Sequence, residues 1–389
     1  MTAEVAVINS LGVAIAADSA VTIGNKTYYT QQKIFNLSNK HSVGIMVYGS
    51  SDFMYVDWEI IINEYNKALG DRVLDTLEEY AKYLLVFLRD FKYVDTDQKL
   101  FLSAISGGFF EEIKEGCENE ISENHKDQEI NKALQNKILS GEIKKAKTHL
   151  ENNEDYVGFK DDGFVRENRA IIAEEVVKIF PEINDKLKEE LIDLFLSDIR
   201  KIEIAPWWRY RSGIVFAGYG DKEIFPSSVD FALYGKLGEN ILHNTFNITN
   251  TTCIFPFSQP NVINSFIRGM DPDFRDMIDN ELDALTAKVT DITGKKHSED
   301  VGKLIKELKD KIQTFQDEKY KDPVVDLVRS MPKSNLAEMA EALVNLTGLR
   351  QRVSTEEQTV GGPTDVALIT KTDGFVWIKK KQIFHDIQG

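Results

Sequence analysis

The chain has 389 residues and a mass of 44.2 kDa, with 42% hydrophobic and 28% charged residues and few prolines. These values are typical of a globular protein and exclude a disordered or fibrous chain. The formal net charge of −16 argues against a nucleic-acid partner, because phosphate contacts require clustered Lys and Arg.

Membrane anchoring, export and disulfide bonding are not expected either. No apolar run approaches the roughly 20 residues that span a bilayer. The N-terminus lacks the basic and apolar regions of a signal peptide. The two cysteines, Cys117 and Cys253, cannot build a disulfide framework. We therefore expect a cytoplasmic protein that does not associate with membranes.

The first part of the chain predicts two β-hairpins followed by two helices. Residues 2–8 and 12–17 are rich in small and branched residues and are joined at the turn-forming "NSLG". "KIFNL" and "SVGIMVYG" flank "SNKH" in the same way. "GSS" is then expected to cap a helix through "DFMYVDWEIIINEYNKAL", and "VLDTLEEYAKYLLVFLRDF" predicts a second helix. This order favours an α+β layered fold over a parallel βαβ sheet.

The remainder alternates between helical blocks and strands. Residues from about 95 to 205 are charge-dense and glycine-poor, which predicts a solvated helical insertion, with a partner-binding or lid role as the alternative. "SGIVFAGYG", "VDFALYGKL" and "TTCIF" predict strands, and a second helical block begins at "SQPNVINSFIRGM". "TDVALITKTDGFVWIKKKQIF" predicts a closing hairpin. Without repeats or linkers, 1–389 is expected to be a single domain with helical insertions at about 95–205 and 270–345.

Metal and cofactor sites are not indicated by the sequence. The six histidines are scattered, and HxxxH, HExxH and CxxC spacings are absent, as are GxSxG and GxxxxGK[ST]. The Asp-rich "GMDPDFRDMIDNELD" lacks the glycine and terminal glutamate of an EF-hand, so its aspartates are expected to cap a helix. We predict no cofactor and no metal.

Thr2 is the candidate nucleophile. Met1 precedes a small residue and is expected to be removed, which would make Thr2 the first residue of the mature chain. A terminal threonine carries a nucleophilic hydroxyl and an α-amino base on the same residue. Asp18 ends the second predicted strand, Lys33 starts the third and Gly49 ends the fourth. Adjacent antiparallel strands could bring these residues to Thr2.

The order of these residues resembles the N-terminal part of proteasome β-type subunits and of the bacterial HslV peptidase, both N-terminal nucleophile (Ntn) hydrolases. The resemblance is carried by "IAADS", "QKIFNL" and "VYGSSDF", and later by "GIVFAGYGDKEIFPSSVDFAL" and "VGGPTDVALITKTDGFVWI". It implies a four-layer αββα Ntn-hydrolase sandwich of antiparallel sheets. It also implies Thr2 as nucleophile, Asp18 and Lys33 as its electrostatic partners, and the Gly49 amide as an oxyanion donor.

The outer part of the implied site departs from the family pattern. Ser258 and Ser265 are the only stand-ins for a serine that supports the terminal amine. Glu357 takes the place of a family aspartate, and Val360 stands where the family has a serine. We therefore predict Glu357 as a further catalytic residue and expect an altered outer shell.

The resemblance implies a peptide or amide substrate, a homo-oligomer and an ATPase partner. Three activities stay open: a threonine-type endopeptidase, an amidohydrolase acting on small amides, and a catalytically inactive scaffold subunit. The helical insertions could narrow the site and favour small amides.

Overall fold

Two antiparallel β-sheets carry most strands of the computed structural model, which describes residues 2–23, 26–38, 40–93, 95–126, 131–151, 163–201, 211–244, 246–293, 295–354 and 359–381. The strands are β1 (Glu4–Asn9), β2 (Gly12–Ala17), β3 (Val21–Ile23), β4 (Lys26–Tyr28), β5 (Ile34–Asn36), β6 (Val43–Gly49), β7 (Asp52–Phe53), β8 (Val56–Asp57), β9 (Ser212–Gly218), β10 (Ser227–Leu237), β11 (Asn240–His243), β12 (Asn247–Thr249), β13 (Cys253–Phe257), β14 (Asp365–Thr370) and β15 (Gly374–Lys379). The first sheet has the order β13-β1-β2-β14-β15 and the second β11-β10-β9-β6-β5, with β12 paired to β10. Two short hairpins, β3–β4 and β7–β8, lie outside these sheets.

Helices follow and interrupt the strands. They are α1 (Trp58–Leu69), α2 (Leu77–Asp90), α3 (Asp95–Asn124), α4 (Lys132–Glu151), α5 (Gly163–Glu167), α6 (Arg169–Ile179), α7 (Asp185–Asp198), α8 (Pro260–Arg268), α9 (Pro272–Thr293), α10 (Lys295–Gln316), a π-helical segment (Asp317–Lys321), α11 (Asp322–Ser330) and α12 (Lys333–Arg352). The expectation of antiparallel sheets combined with many helices is confirmed. Both predicted N-terminal hairpins form, as β1–β2 and β5–β6.

The alternation in β1 sends its side chains to two different apolar clusters. Val5 and Val7 are fully buried in one cluster with residues of α12. Ala6 and Ile8 point the other way and join residues of the second sheet, such as Val215. Because successive side chains of a strand face opposite sides, this strand is covered on both faces.

The start of α1 differs from the expectation. Residues after "GSS" form the β7–β8 hairpin before the helix, with Met54 and Tyr55 in its turn at positive φ. Asp57 then caps the helix, because its carboxylate accepts a 2.7 Å hydrogen bond from the Glu59 N–H. The predicted cap was therefore placed too early, since a local turn competes with the helix there.

The first helical insertion is less solvated than expected. Phe109 and Phe110 of α3 and Phe195 of α7 are buried in one apolar cluster. The same cluster includes Phe216 and Phe231 of the second sheet. The described part of this insertion therefore shares a core with the sheet.

The predicted helix cap in the Asp-rich segment is confirmed. The Asp271 carboxylate accepts hydrogen bonds from the N–H groups of Asp273 and Phe274 at the start of α9. Within the described ranges, no cluster of three or more His, Cys, Asp or Glu is suited to a metal ion. No helix in the described part of the chain is both long and apolar enough to cross a membrane.

Candidate active site

Pairing of β1 with β2 brings the start of the chain next to Asp18. Glu4 lies opposite Ala17, the last residue of β2, so the residues before β1 run beside those after β2. The Asp18 N–H donates to the Ala3 carbonyl at 3.1 Å, and the Ala3 N–H donates to Asp18 Oδ1 at 3.0 Å. Thr2 is thereby held at one end of the first sheet.

The Asp18 carboxylate is buried and accepts four hydrogen bonds. Its Oδ2 accepts from the N–H groups of Ala20 at 3.2 Å and Gly361 at 2.8 Å. Its Oδ1 accepts from Ala3 and, at 2.5 Å, from the Lys33 ammonium. Convergent donors and one cation compensate the loss of water around this charge.

Lys33 reaches the same place from the second sheet. It precedes β5, and its carbonyl accepts a 2.9 Å hydrogen bond from the Val47 N–H of β6. Its side chain is only 5% exposed, and its Nζ also lies 3.4 Å from Glu4 Oε1. One buried ammonium therefore faces two carboxyl groups.

Glu4 is a residue of this cluster that the sequence interpretation missed. Its side chain is fully buried, and its Oε2 accepts a 3.0 Å hydrogen bond from the Thr2 hydroxyl. A signal was present in the sequence. Alternate residues of a strand point to the same face, so Glu4 lies on the same face of β1 as Ala6 and Ile8, which face the second sheet. A glutamate on a buried strand face needs a partner or a function.

Burial raises the pKa of Glu4 from its ordinary value of 4.5 to about 7. The Lys33 ammonium opposes this rise, the Asp18 carboxylate adds to it, and the hydrogen bond from Thr2 lowers the pKa again. The proton on Glu4 is therefore poised to leave and return near neutral pH.

Gly49 lies at the end of β6 and lines the same cavity as Thr2 and Lys33. Its φ is +85°, and a Cβ on this residue would lie 2.4 Å from the Arg211 carbonyl oxygen. Both features require glycine at this position. The cavity has a volume of about 20 Å³, which is room for about one water molecule.

The structure describes three of the four residues expected in the outer part of the site. Val360 is fully buried in the apolar cluster beside α12, and its N–H donates to Gln351 Oε1 at 2.7 Å. The Ser265 hydroxyl donates to the Asn261 carbonyl in its own helix at 2.7 Å. Ser258 immediately follows Phe257, the β13 residue opposite Glu4. Glu357 lies outside the described residues.

Comparison with known proteins gives matches only among solved structures. No protein-family model and no curated protein matches the sequence. Anbu from Hyphomicrobium sp. strain MC1, as a Gly-1 mutant, matches at 10% identity and a TM-score of 0.30, over 99% of this chain and 88% of that one. Another structure of Anbu from the same strain gives the same values. Anbu from Yersinia bercovieri, titled an ancestral beta-subunit, matches at 11% identity and a TM-score of 0.29, over 98% and 88%.

These matches correct the family suggested by the sequence motifs. The three structures named above are Anbu proteins, a family distinct from the proteasome β-type subunits and HslV. The assignment to those two groups is therefore wrong, because short motifs at strand ends are shared by more than one family. At TM-scores of 0.30 and below, the likeness carries no activity over to this chain.

Proposed function

We propose that this chain is an N-terminal threonine hydrolase that cleaves amide bonds through an acyl-enzyme on Thr2, after Met1 is removed. The observation that supports this function is the convergence of Thr2, Lys33 and Gly49 on one cavity, with the Asp18 carboxylate paired with Lys33. Hydrolases with a hydroxyl nucleophile need that group beside a base and near oxyanion donors.

Each residue then has a role in the reaction. Thr2 Oγ adds to the substrate carbonyl, and the α-amino group of Thr2 is available as a base once Met1 is gone. Lys33 stabilises negative charge on the attacking oxygen, and Asp18 holds Lys33 in place. The Gly49 amide is proposed to donate to the oxyanion. Glu357 stays a predicted supporting residue.

The first test measures the chain terminus and its reactivity together. We expect intact-mass analysis of the natively expressed protein to show Met1 absent, and a β-lactone probe to acylate Thr2 once per chain. Thr2→Ala should abolish labelling while leaving the chain folded. Thr314→Ala removes an exposed hydroxyl on α10 and should label like the wild type. Retention of Met1, or equal labelling of the Thr2→Ala variant, would contradict the proposal.

A small amide is the second candidate substrate. The cavity at Thr2 has a volume of only about 20 Å³, far below the several hundred Å³ of ordinary ligand pockets, so it has to widen for any substrate and less for a small amide than for a peptide. A panel of fluorogenic peptides against small amides separates an endopeptidase from an amidohydrolase. A free Thr2 terminus that no β-lactone labels would instead indicate the inactive scaffold.

We also propose that the two sheets and their helices form a four-layer sandwich in a single domain. Support comes from the apolar cluster that joins residues of both sheets, and from the packing of α12 on the first sheet and α2 on the second. The homo-oligomer, the ATPase partner and the cytoplasmic location stay predictions. Light scattering on the purified chain tests the first of them.

A further inference from the structure

We infer that Glu4 is a further catalytic residue, which accepts the proton of the Thr2 hydroxyl as Oγ attacks the carbonyl carbon. This inference rests on the proposed function of Thr2 and names a base for it in addition to the terminal amine. It concerns the one carboxyl group that contacts the proposed nucleophile in the part of the chain that the structure describes.

The geometry places the two atoms that exchange the proton in direct contact. Thr2 Oγ donates to Glu4 Oε2 at 3.0 Å, and both side chains are buried. A general base has to lie within about 2.6–3.2 Å of the group it deprotonates. Lys33 contacts the other oxygen of the same carboxyl at 3.4 Å. The carboxyl is thus held between a proton donor and a cation.

A purely structural role accounts poorly for this carboxyl. Asp18 already gives the Lys33 ammonium a 2.5 Å partner. Among the described residues, Glu4 Oε1 has only the same ammonium nearby, at 3.4 Å, so a second buried carboxyl is incompletely compensated. An ionised group in such a position destabilises the fold. Its contact with Thr2 supplies a reason for it to be there.

The other charged and titratable groups around Glu4 lie on three other segments of the chain. Lys33 faces it from the segment before β5, and Asp18 from the end of β2. Tyr48 of β6 is the neighbouring phenol, and burial raises the pKa of Tyr48 to about 12. From β13 the opposite residue is Phe257, which does not titrate. The terminal amine of a processed Thr2 would be the remaining base nearby.

The proton transfers balance over the whole cycle. The Oγ–H bond breaks as the Oγ–C bond forms, the proton passes to Glu4 Oε2, and the carbonyl electrons move onto oxygen. When the tetrahedral intermediate collapses, the C–N bond breaks and Glu4 returns the proton to the leaving nitrogen. Water then gives a proton to Glu4 as it attacks the ester, and Thr2 Oγ regains that proton as it leaves. The net reaction is an amide plus water giving an acid plus an amine.

The experiment compares Glu4→Gln with the wild type in the rate of Thr2 acylation by a β-lactone, between about pH 5 and 9. We expect the wild-type rate to rise through about pH 7, following deprotonation of Glu4. Glu4→Gln keeps the shape but cannot accept the proton, so the rate should fall about 10²–10⁴-fold and the rise near neutrality should disappear. Glu64→Gln is the matched control. The Glu64 carboxyl also pairs with a lysine, Lys67, at 2.6 Å, but Glu64 is half-exposed and lies far from Thr2 in the sequence.

The possible results separate this inference from the proposed function. If Glu4→Gln is acylated at the wild-type rate with the same rise, the terminal amine is the base and Glu4 is not catalytic. If wild-type Thr2 is not acylated at any pH, the proposed function itself fails. If Glu4→Gln does not fold, Glu4→Asp keeps the charge but shortens the reach. It should then acylate slowly with the pH rise retained, and a wild-type rate would overturn the inference.

Discussion

Two buried carboxyl groups in this chain are alike in their proton affinity and unlike in their surroundings. Burial raises the pKa of Glu4, at the start of β1, and of Asp198, at the end of α7, to about 7. Glu4 has the Thr2 hydroxyl on one oxygen and the Lys33 ammonium near the other. At Asp198 the neighbouring charge is the Glu112 carboxyl, which raises the pKa further.

The comparison of Glu4 with Asp198 shows that a shifted pKa alone does not identify a functional site. Asp198 Oδ2 is buried without a hydrogen-bond partner within the described ranges, so its shift reflects lost hydration. Glu4 is poised by the same lost hydration, but next to a nucleophile and a cation. The contact with Thr2 distinguishes the two regions.

Removal of the cation should have the largest effect, because it makes the surroundings of Glu4 resemble those of Asp198. Lys33→Met leaves Asp18 and Glu4 without their ammonium, and breaking a buried pair in this way destabilises by about 3–5 kcal/mol. Urea unfolding near neutral pH measures the loss. Lys67→Met is the control, because its half-exposed pair with Glu64 should change stability by less than about 1 kcal/mol. Equal stability of the Lys33→Met and Lys67→Met variants would contradict this account.

A change at Gly49 should disturb the site without touching either carboxyl. Gly49→Ala combines a positive φ with a Cβ 2.4 Å from the Arg211 carbonyl oxygen. We therefore expect the variant to lose at least about 2 kcal/mol of folding stability. Gly374 also has a positive φ, +67°, but a Cβ on it would have no atom within 4 Å. The Gly374→Ala variant should therefore lose only about 1 kcal/mol of folding stability. Thr2 acylation should slow in the Gly49→Ala variant alone, with the pH of half-maximal rate unchanged. Acylation at the wild-type rate would contradict the expected disturbance of the site by a Cβ at position 49.

The smallest expected effect is a gain of stability when Asp198, the other buried carboxyl group, is replaced. The pKa of Asp198 is higher in the folded chain, at about 7, than its ordinary value of 3.8, so the unfolded chain loses this proton first. The contribution of Asp198 is therefore most favourable below about pH 4 and is lost as pH rises through about 7. Asp198→Asn should be more stable than the wild type by about 1–3 kcal/mol above about pH 8, and close to it at about pH 4.

Thr2 acylation serves as the second readout for Asp198. It should be the same in the Asp198→Asn variant as in the wild type at every pH, because no nucleophile contacts this carboxyl in the described structure. A variant that is less stable above about pH 8 would show that the Asp198 carboxylate is stabilising. A changed pH profile of acylation would show that the two regions are coupled.

The sequence by itself determined the strands around the site and the residues that meet there. Period-two alternation predicted β1 and β2, and the ends of successive strands singled out Asp18, Lys33 and Gly49. Local pattern suffices here because antiparallel neighbours must bring strand ends together. The local pattern did not identify the family, since short motifs at strand ends match more than one family.

Only the tertiary structure decided what Glu4 contacts and how much of the helical insertion is buried. In the strand pattern Glu4 is one polar residue among apolar ones, and its raised pKa comes from burial, which Lys33 before β5 opposes and Asp18 after β2 reinforces. The aromatics Phe109 and Phe195 likewise join a core whose other members lie in the sheet. Burial and charge proximity depend on distances between segments far apart in the chain, which no local spacing encodes.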